Sequence, residues 1–209
     1  IDRSEVMAIG IDGGGLDDLL SLTVLGRERG SRTWLAWGKS WCHKMVLGKR
    51  EEIAPRLKDF EELEELTIVD SMPDAFDELA EICEYLRDSH RLYQIGIDPH
   101  GVSLIVDALA KVKIEGEHDL GNGHKIPWVI GISQGWKMNS AIKATAVKLS
   151  SGELKHADQS ILAWAVGNAK VEQKGNAASI TKQLAGLAKI DPLMSLLDAA
   201  AVLGTNPPA

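Results

Sequence analysis

Apolar residues fall along this chain in two rhythms. Over the first forty positions they form short runs, Val6 to Ile11, Leu19 to Gly26 and Arg32 to Trp41, divided by glycine-rich or charged turns. Such runs predict three strands joined as an antiparallel meander. The spacing then becomes helical. "KREEIAPRLKDFEELEEL" reads as a helix interrupted by Pro55, and "LTIVD" as a short strand. "MPDAFDELAEICEYLRDSH" reads as a helix with Phe76, Leu79, Ala80, Cys83 and Leu86 on its apolar face and an acidic, solvated face opposite.

A further strand, "YQIGIDPHG", ends at Ile97 and leads into a helix from Val102 to Lys111, after which "HKIPWVIGIS" supplies another strand. "GWKMNSAIKATAVKLSSG", closing on Gly152, and "HADQSILAWAVGNAKV" read as amphipathic helices. "VEQKGNAASITK" reads as a hairpin turning at Lys174-Gly175-Asn176. In the last helix, "KIDPLMSLLDAAAVLG", Asp191 is the expected cap and Pro192 occupies the first turn. Three strands followed by alternating helices and strands predict an α/β fold, a mixed sheet with antiparallel first strands, flanked by helices.

The 209 residues suffice for one substantial core, so 1–209 reads as a single domain. No apolar run approaches the ~20 residues of a membrane span, which argues against a membrane partner. Ile1 is not an initiator methionine and no signal core follows it, so the chain reads as excised from a larger one. Cys42 and Cys83 lack zinc spacing and read as free, buried thiols of a reducing compartment. The net charge of −7 is uneven, because residues 51–90 hold 14 Asp and Glu against 3 Lys and Arg. The remainder is net positive, so a polyanion can bind there while the acidic segment lies on the opposite side or at a protein contact.

Asp12 follows the first apolar run and precedes Gly13-Gly14-Gly15, and Asp98 follows a second run and precedes Pro99. If the two strands are neighbours their carboxylates converge at the strand ends, where ligands collect in such sheets. Asp191 completes a trio, with Asp198 two turns further along as the alternative. Taken singly, each aspartate has an ordinary reading as turn or cap chemistry. Asp17 and Asp18 read as surface residues, Asp18 with a possible supporting part. Bunched carboxylates cannot all ionise at neutral pH without a compensating cation, and Mg²⁺ or Mn²⁺ suits oxygen ligands.

In order along the chain, "IGIDGGGLDDLLSLTVLG", "YQIGIDPHG", "GELKHADQSILAWAVGNAKV" and "ITKQLAGLAKIDPLMSLLDAAAV" resemble the C-terminal nuclease domain of the large terminase subunit of tailed bacteriophages. The resemblance runs from about residue 6 to residue 204 and falls on Asp12, Asp98, His156, Asn168, Lys182 and Asp191. The stretch after Asp12 is richer in glycine than the family pattern. The resemblance implies a ribonuclease H-like fold and metal-dependent endonuclease cleavage of double-stranded, concatemeric viral DNA during packaging. It also implies an N-terminal packaging ATPase in the full protein; no GxxxxGK[ST] motif occurs here. Further expectations are contact with portal and small terminase subunit, in the cytoplasm of a bacterial host.

In that scheme Asp12 bridges two divalent cations, Mg²⁺ or Mn²⁺, while Asp98 and Asp191 each hold one. Residues 121–209 contain 9 Lys against 5 Asp and Glu, and Lys137, Lys143, Lys148 and Lys182 are the candidates for DNA phosphate contact. His156 is read either as a DNA contact or water-orienting group, or as a plain helix cap. Trp34, Trp37 and Trp164 sit where core packing accounts for them. Two other readings stay open. "GIDGGG" is similar to the phosphate loop of actin-like-superfamily sugar kinases, although Leu16-Asp17-Asp18 replaces the Thr or Ser expected there. A non-catalytic docking module on the portal is the other.

Overall fold

The computed structural model describes all residues except 101, 122 and 184–188. Its centre is a mixed sheet. β1 (Ser4–Gly13), β2 (Leu19–Glu28) and β3 (Trp34–His43) form the expected meander, the first two a few residues longer than their apolar runs and the third shifted two residues along. α1 (Met45–Lys49) and α2 (Ala54–Glu62) follow, with Pro55 in the first turn of α2, so proline starts a helix here instead of interrupting one. β4 (Leu66–Val69) pairs parallel with β3, and α3 (Met72–Asp88) leads to β5 (Leu92–Ile97), which pairs parallel with β1.

After α4 (Ser103–Lys111) the single strand expected from "HKIPWVIGIS" is two. β6 (Glu117–Asp119) and β7 (Lys125–Pro127) make a small separate hairpin, whereas β8 (Val129–Gly131) joins β5. Pro127 has no N–H to continue a ladder, and the chain changes sheets there. The next helix begins as a 3-10 turn, Gly135–Met138, before α5 (Asn139–Ser150), and Gly152 ends that region at φ +72°.

β9 (Leu154–His156), not legible from periodicity, adds to β3 beside its N-terminal half. This leaves α6 (Ser160–Gly167) shorter than the helix read from "HADQSILAWAVGNAKV". β10 (Ala169–Lys174) and β11 (Ala177–Lys182) form the expected hairpin, and α7 (Asp191–Leu203) closes the fold. Ile190, not Asp191, occupies the cap position, and Asp191 is the first helical residue. The main sheet runs β4-β3-β2-β1-β5-β8.

The two faces of the sheet differ in bulk, because side chains alternate along a strand. Met7, Ile9, Ile11, Leu20, Leu22 and Val24 point one way and pack under α3 and α4. The opposite face carries Ala8, Gly10, Ser21, Thr23 and Gly96, all small, and α7 lies directly on it. A Cβ at Gly10 would fall 1.9 Å from the Ser195 carbonyl oxygen, which shows how closely the helix backbone approaches. Thr23 and Ser195 join hydroxyls at 2.8 Å across this contact. Cys42 and Cys83 are both buried and free. Among the described residues no helix is long and apolar enough to cross a membrane.

Candidate active site

The alternation that places Ala8 and Gly10 under α7 also sends Asp12 to that face, at the C-terminal end of β1. Parallel pairing aligns Gly10 with Gly96 and Ile11 with Ile97, so Asp98 emerges beside Asp12 on the same side. The Asp98 N–H donates to the Ile11 carbonyl at 3.4 Å. Register thus brings the two predicted carboxylates together at neighbouring strand ends. α7, seated on the glycines, adds Asp191 from its first turn and Asp198 from two turns on, respectively 3% and 0% exposed. Gly13, at φ +86°, makes room for this approach: a Cβ there would lie 3.2 Å from Asp191 Oδ1 and collide with the Leu19 carbonyl oxygen.

Burial drives the protonation chemistry. Loss of water raises the Asp12 carboxyl to about 7, with Asp98 and Asp18 adding to the rise and Lys182 opposing it. Burial likewise raises Asp198 to about 9, reinforced by Asp12 and Asp98. Asp191 is pushed well above the usual carboxylate range by burial, then by Asp18 and Asp12. Asp191 Oδ2 and Asp198 Oδ2 are buried without a hydrogen-bond partner, as is Gln134 Oε1, whose amide donates to Asp198 Oδ1 at 3.2 Å. Buried acceptors left open in this way are costly. Asp98 is better served, since His100 donates to its Oδ1 from the backbone at 3.1 Å and from Nδ1 at 2.8 Å.

Asp18 behaves differently from the others. Burial works to raise its carboxyl, but a hydrogen bond and the charge of Lys189, with Lys182 behind them, hold it below the ordinary value. Lys189 is 2% exposed, and its Nζ donates to Asp18 Oδ1 at 2.8 Å and to the Asp17 carbonyl. Lys182 Nζ lies 3.7 Å from the other Asp18 oxygen. Asp17 pairs with Arg50 at 2.8 Å. Beside these groups opens a cleft of about 420 Å³, bordered by Arg50, Lys182 and Lys189. Asp18 therefore borders the acidic cluster while keeping a third of its side chain in solvent.

The other predicted residues are spread more widely. Lys182, at the base of the β10–β11 hairpin, is the lysine beside the carboxylates. Lys143 donates to the Asn176 carbonyl at the opposite, turn end of that hairpin. Lys137 is three residues beyond Gln134 and covers the exposed ring of Trp136 at 5.9 Å. Lys148 is occupied by Glu153 and the face of Trp34. His156 aligns with Ala36, on a strand edge three strands from β1 and at the level of Ala8, so the fold does not bring it to the carboxylates. Asn168 donates from Nδ2 to the Lys189 carbonyl at 3.0 Å and so braces the segment entering α7.

No family model and no curated protein matches the sequence. Solved structures do match. The HK97 bacteriophage large terminase superposes over 97% of this chain and 40% of its own length, with a TM-score of 0.72 at 15% identity. The large terminase nuclease from thermophilic phage G20c covers 94% of this chain and 81% of its own, with a TM-score of 0.55 at 12% identity. A structure of that nuclease with bound magnesium gives a TM-score of 0.53 at 13% identity, over 94% and 80% of the two chains. The chain has the large-terminase nuclease fold.

In this fold Lys189, Gln134 and His100 are neighbours of the carboxylates that sequence reasoning did not assign, and Asp18, read from sequence as a surface residue with a possible supporting part, joins them. Lys189 carried one signal, a lone lysine in "AGLAKIDPLM" two positions before Asp191. Among the described residues no three His, Cys, Asp or Glu side chains already stand in an arrangement that could hold a metal ion. The donor chemistry of these residues nevertheless fits a hard divalent cation: Asp12, Asp98, Asp191 and Asp198 lie close together, and a buried oxygen of each of the α7 pair, Asp191 and Asp198, lacks a hydrogen-bond partner.

Proposed function

We propose that this chain is a divalent-metal-dependent endonuclease that cuts double-stranded, concatemeric viral DNA during genome packaging. The observation that carries the reading is the carboxylate cluster where β1, β5 and α7 meet, with Asp191 Oδ2 and Asp198 Oδ2 buried and without a hydrogen-bond partner. Its likeness in fold to phage large-terminase nucleases supports the same reading. Asp12, Asp98 and Asp191, with Asp198 bordering them, would hold the divalent cations, Mg²⁺ or Mn²⁺. When bound, the cations supply Lewis-acid activation of water and neutralise charge at the scissile phosphate.

The protein's own groups do the rest. Lys182 faces the cluster and contacts a DNA phosphate, and Lys137, Lys143 and His156 extend the contact along the backbone. Lys189 holds Asp18 and the loop after β1 in place. No side chain acts as a covalent nucleophile, and the products are a 5′-phosphate and a 3′-hydroxyl. In this reading the chain works with the packaging ATPase of a longer protein, with portal and small terminase subunit, in the bacterial cytoplasm.

The test is incubation of the purified chain with supercoiled plasmid and Mn²⁺ or Mg²⁺, beside Asp12→Ala. Metal-dependent nicking that the substitution abolishes is expected. ATP turnover without nicking would move the assignment to the actin-like kinases, and neither activity would leave a docking module.

A further inference from the structure

The carboxylate cluster occupies one face of the sheet; the other holds a larger groove of about 980 Å³, between α3 and the β3–β4 edge. Its floor is apolar, made by Val24, Trp37, Trp41, Leu66 and Ile82. The rim is acidic, with Glu61 and Glu64 on one wall and Glu78 and Glu81 on the other. Lys39 is the one Lys or Arg among the described lining residues, and its Nζ is turned to the Glu64 carbonyl at 2.9 Å.

The spacing along α3 matters. Glu78, Glu81, Ile82 and Tyr85 stand at i, i+3, i+4 and i+7, one continuous stripe facing the groove. Tyr85 is 71% exposed, a large aromatic placed among glutamates on a helix whose other apolar residues, the partly buried Ile82 apart, are mostly buried. A small ligand satisfies one or two charges. Carboxylates repeated at turn spacing beside an apolar trough instead match a second helix with cations at the same spacing and apolar side chains between them.

We propose that this groove docks a basic amphipathic helix of a partner protein, its apolar side chains entering over Trp37 and Ile82 and its Lys or Arg residues paired to the glutamate rims. Charge complementarity selects the partner: residues 51–90 carry 14 acidic against 3 basic groups, a field that repels DNA and attracts a cationic segment. The site lies on the sheet face opposite the carboxylates, so it is independent of nuclease activity.

The probe is a fluorescein-labelled helical peptide with a Leu stripe and a Lys stripe, titrated by anisotropy against the whole chain. Specific binding is expected, weakened about tenfold or more by Glu64→Lys with Glu81→Lys, and similarly by Tyr85→Ala. Among the described residues neither glutamate side chain makes a hydrogen bond or ion pair, and circular dichroism checks that each variant is folded. Glu62→Lys with Asp74→Lys, an equal charge change away from the groove, is expected to leave binding within about twofold. Absence of binding overturns the proposal. So does equal weakening by the off-groove pair, or equal binding of a Lys peptide whose Leu residues are replaced by Ser. Self-association in sedimentation that Tyr85→Ala abolishes would make a second copy the occupant, and would overturn it as well.

Discussion

Gly10 and Gly96 are register partners on adjacent parallel strands, and α7 lies across both. A Cβ on Gly10 would fall 1.9 Å from the Ser195 carbonyl oxygen and 2.4 Å from the Ala199 nitrogen. One on Gly96 would meet Ile132 Cγ1 at 2.8 Å, Val202 Cγ2 at 2.9 Å and the Asp198 carbonyl oxygen at 3.0 Å. The contacts at Gly10 are backbone, which cannot swing aside; the two shortest at Gly96 are side-chain atoms, which can, and its backbone contact is the longest of the three. This pair of glycines sets the height of α7 above the sheet, and with it the positions of Asp191 and Asp198.

Gly10→Ala is therefore expected to cost about 3 kcal/mol and Gly96→Ala about 1 kcal/mol, the range of overpacking in a dense core. Urea unfolding measures both. The order is the decisive part, since equal costs would mean that the helix shifts freely.

Asp12→Asn separates function from stability. It is expected to remove nicking while raising the melting temperature of the metal-free protein at pH 8. A carboxyl whose value burial raises to about 7 is ionised there, without solvent, and the amide removes that penalty. A gain of about 1 kcal/mol corresponds to about 2–4 °C for a chain of this size. A fall in melting temperature would show that the charge is compensated within the protein.

Metal-free stability has a predictable pH slope. Below 3.8 Asp12 is protonated in both states; between 3.8 and about 7 the folded state keeps a proton that the unfolded chain has released. Stability then falls as pH rises through that interval, and Asp198, raised to about 9, extends the fall upward. Thermal melts in EDTA are expected to decline from pH 5 to pH 8, and excess Mn²⁺ to restore the loss most strongly at the alkaline end. A flat EDTA profile would contradict the clustering of these carboxyls.

Lys189→Met strands the Asp18 carboxylate with Lys182, 3.7 Å away, as its remaining cation. Breaking a buried pair costs about 3–5 kcal/mol, but Asp18 keeps a third of its side chain in water, so about 2 kcal/mol is expected. Asp18→Asn with Lys189→Met is expected to recover part of that loss in a double-mutant cycle. Additive effects would rule out coupling between the two.

The meander, the helices with strong apolar stripes and the hairpin were legible because each is encoded locally, by alternation or by helical spacing. Asp12 and Asp98 were legible for a related reason: an aspartate directly after a buried run must emerge at a strand end. The short β9 and the split at Pro127 were not legible, because a three-residue strand has too few positions to show a period and is held by its partner strand. Gln134 was equally hidden, since nothing near it in the chain announces the Asp198 carboxyl it touches, and the partner of Lys189, Asp18, lies 171 residues away.

By itself the sequence determined the alternation that gives the sheet one bulky and one small face, and the parity that puts Gly10 and Asp12 on the same side. Only the tertiary structure decided that β5 lies parallel to β1 in matching register, so that Gly96 and Asp98 fall beside them, and that α7 descends onto the glycines. Side-chain direction follows from the backbone of one strand alone, whereas convergence of four carboxyls depends on packing between segments nearly two hundred residues apart.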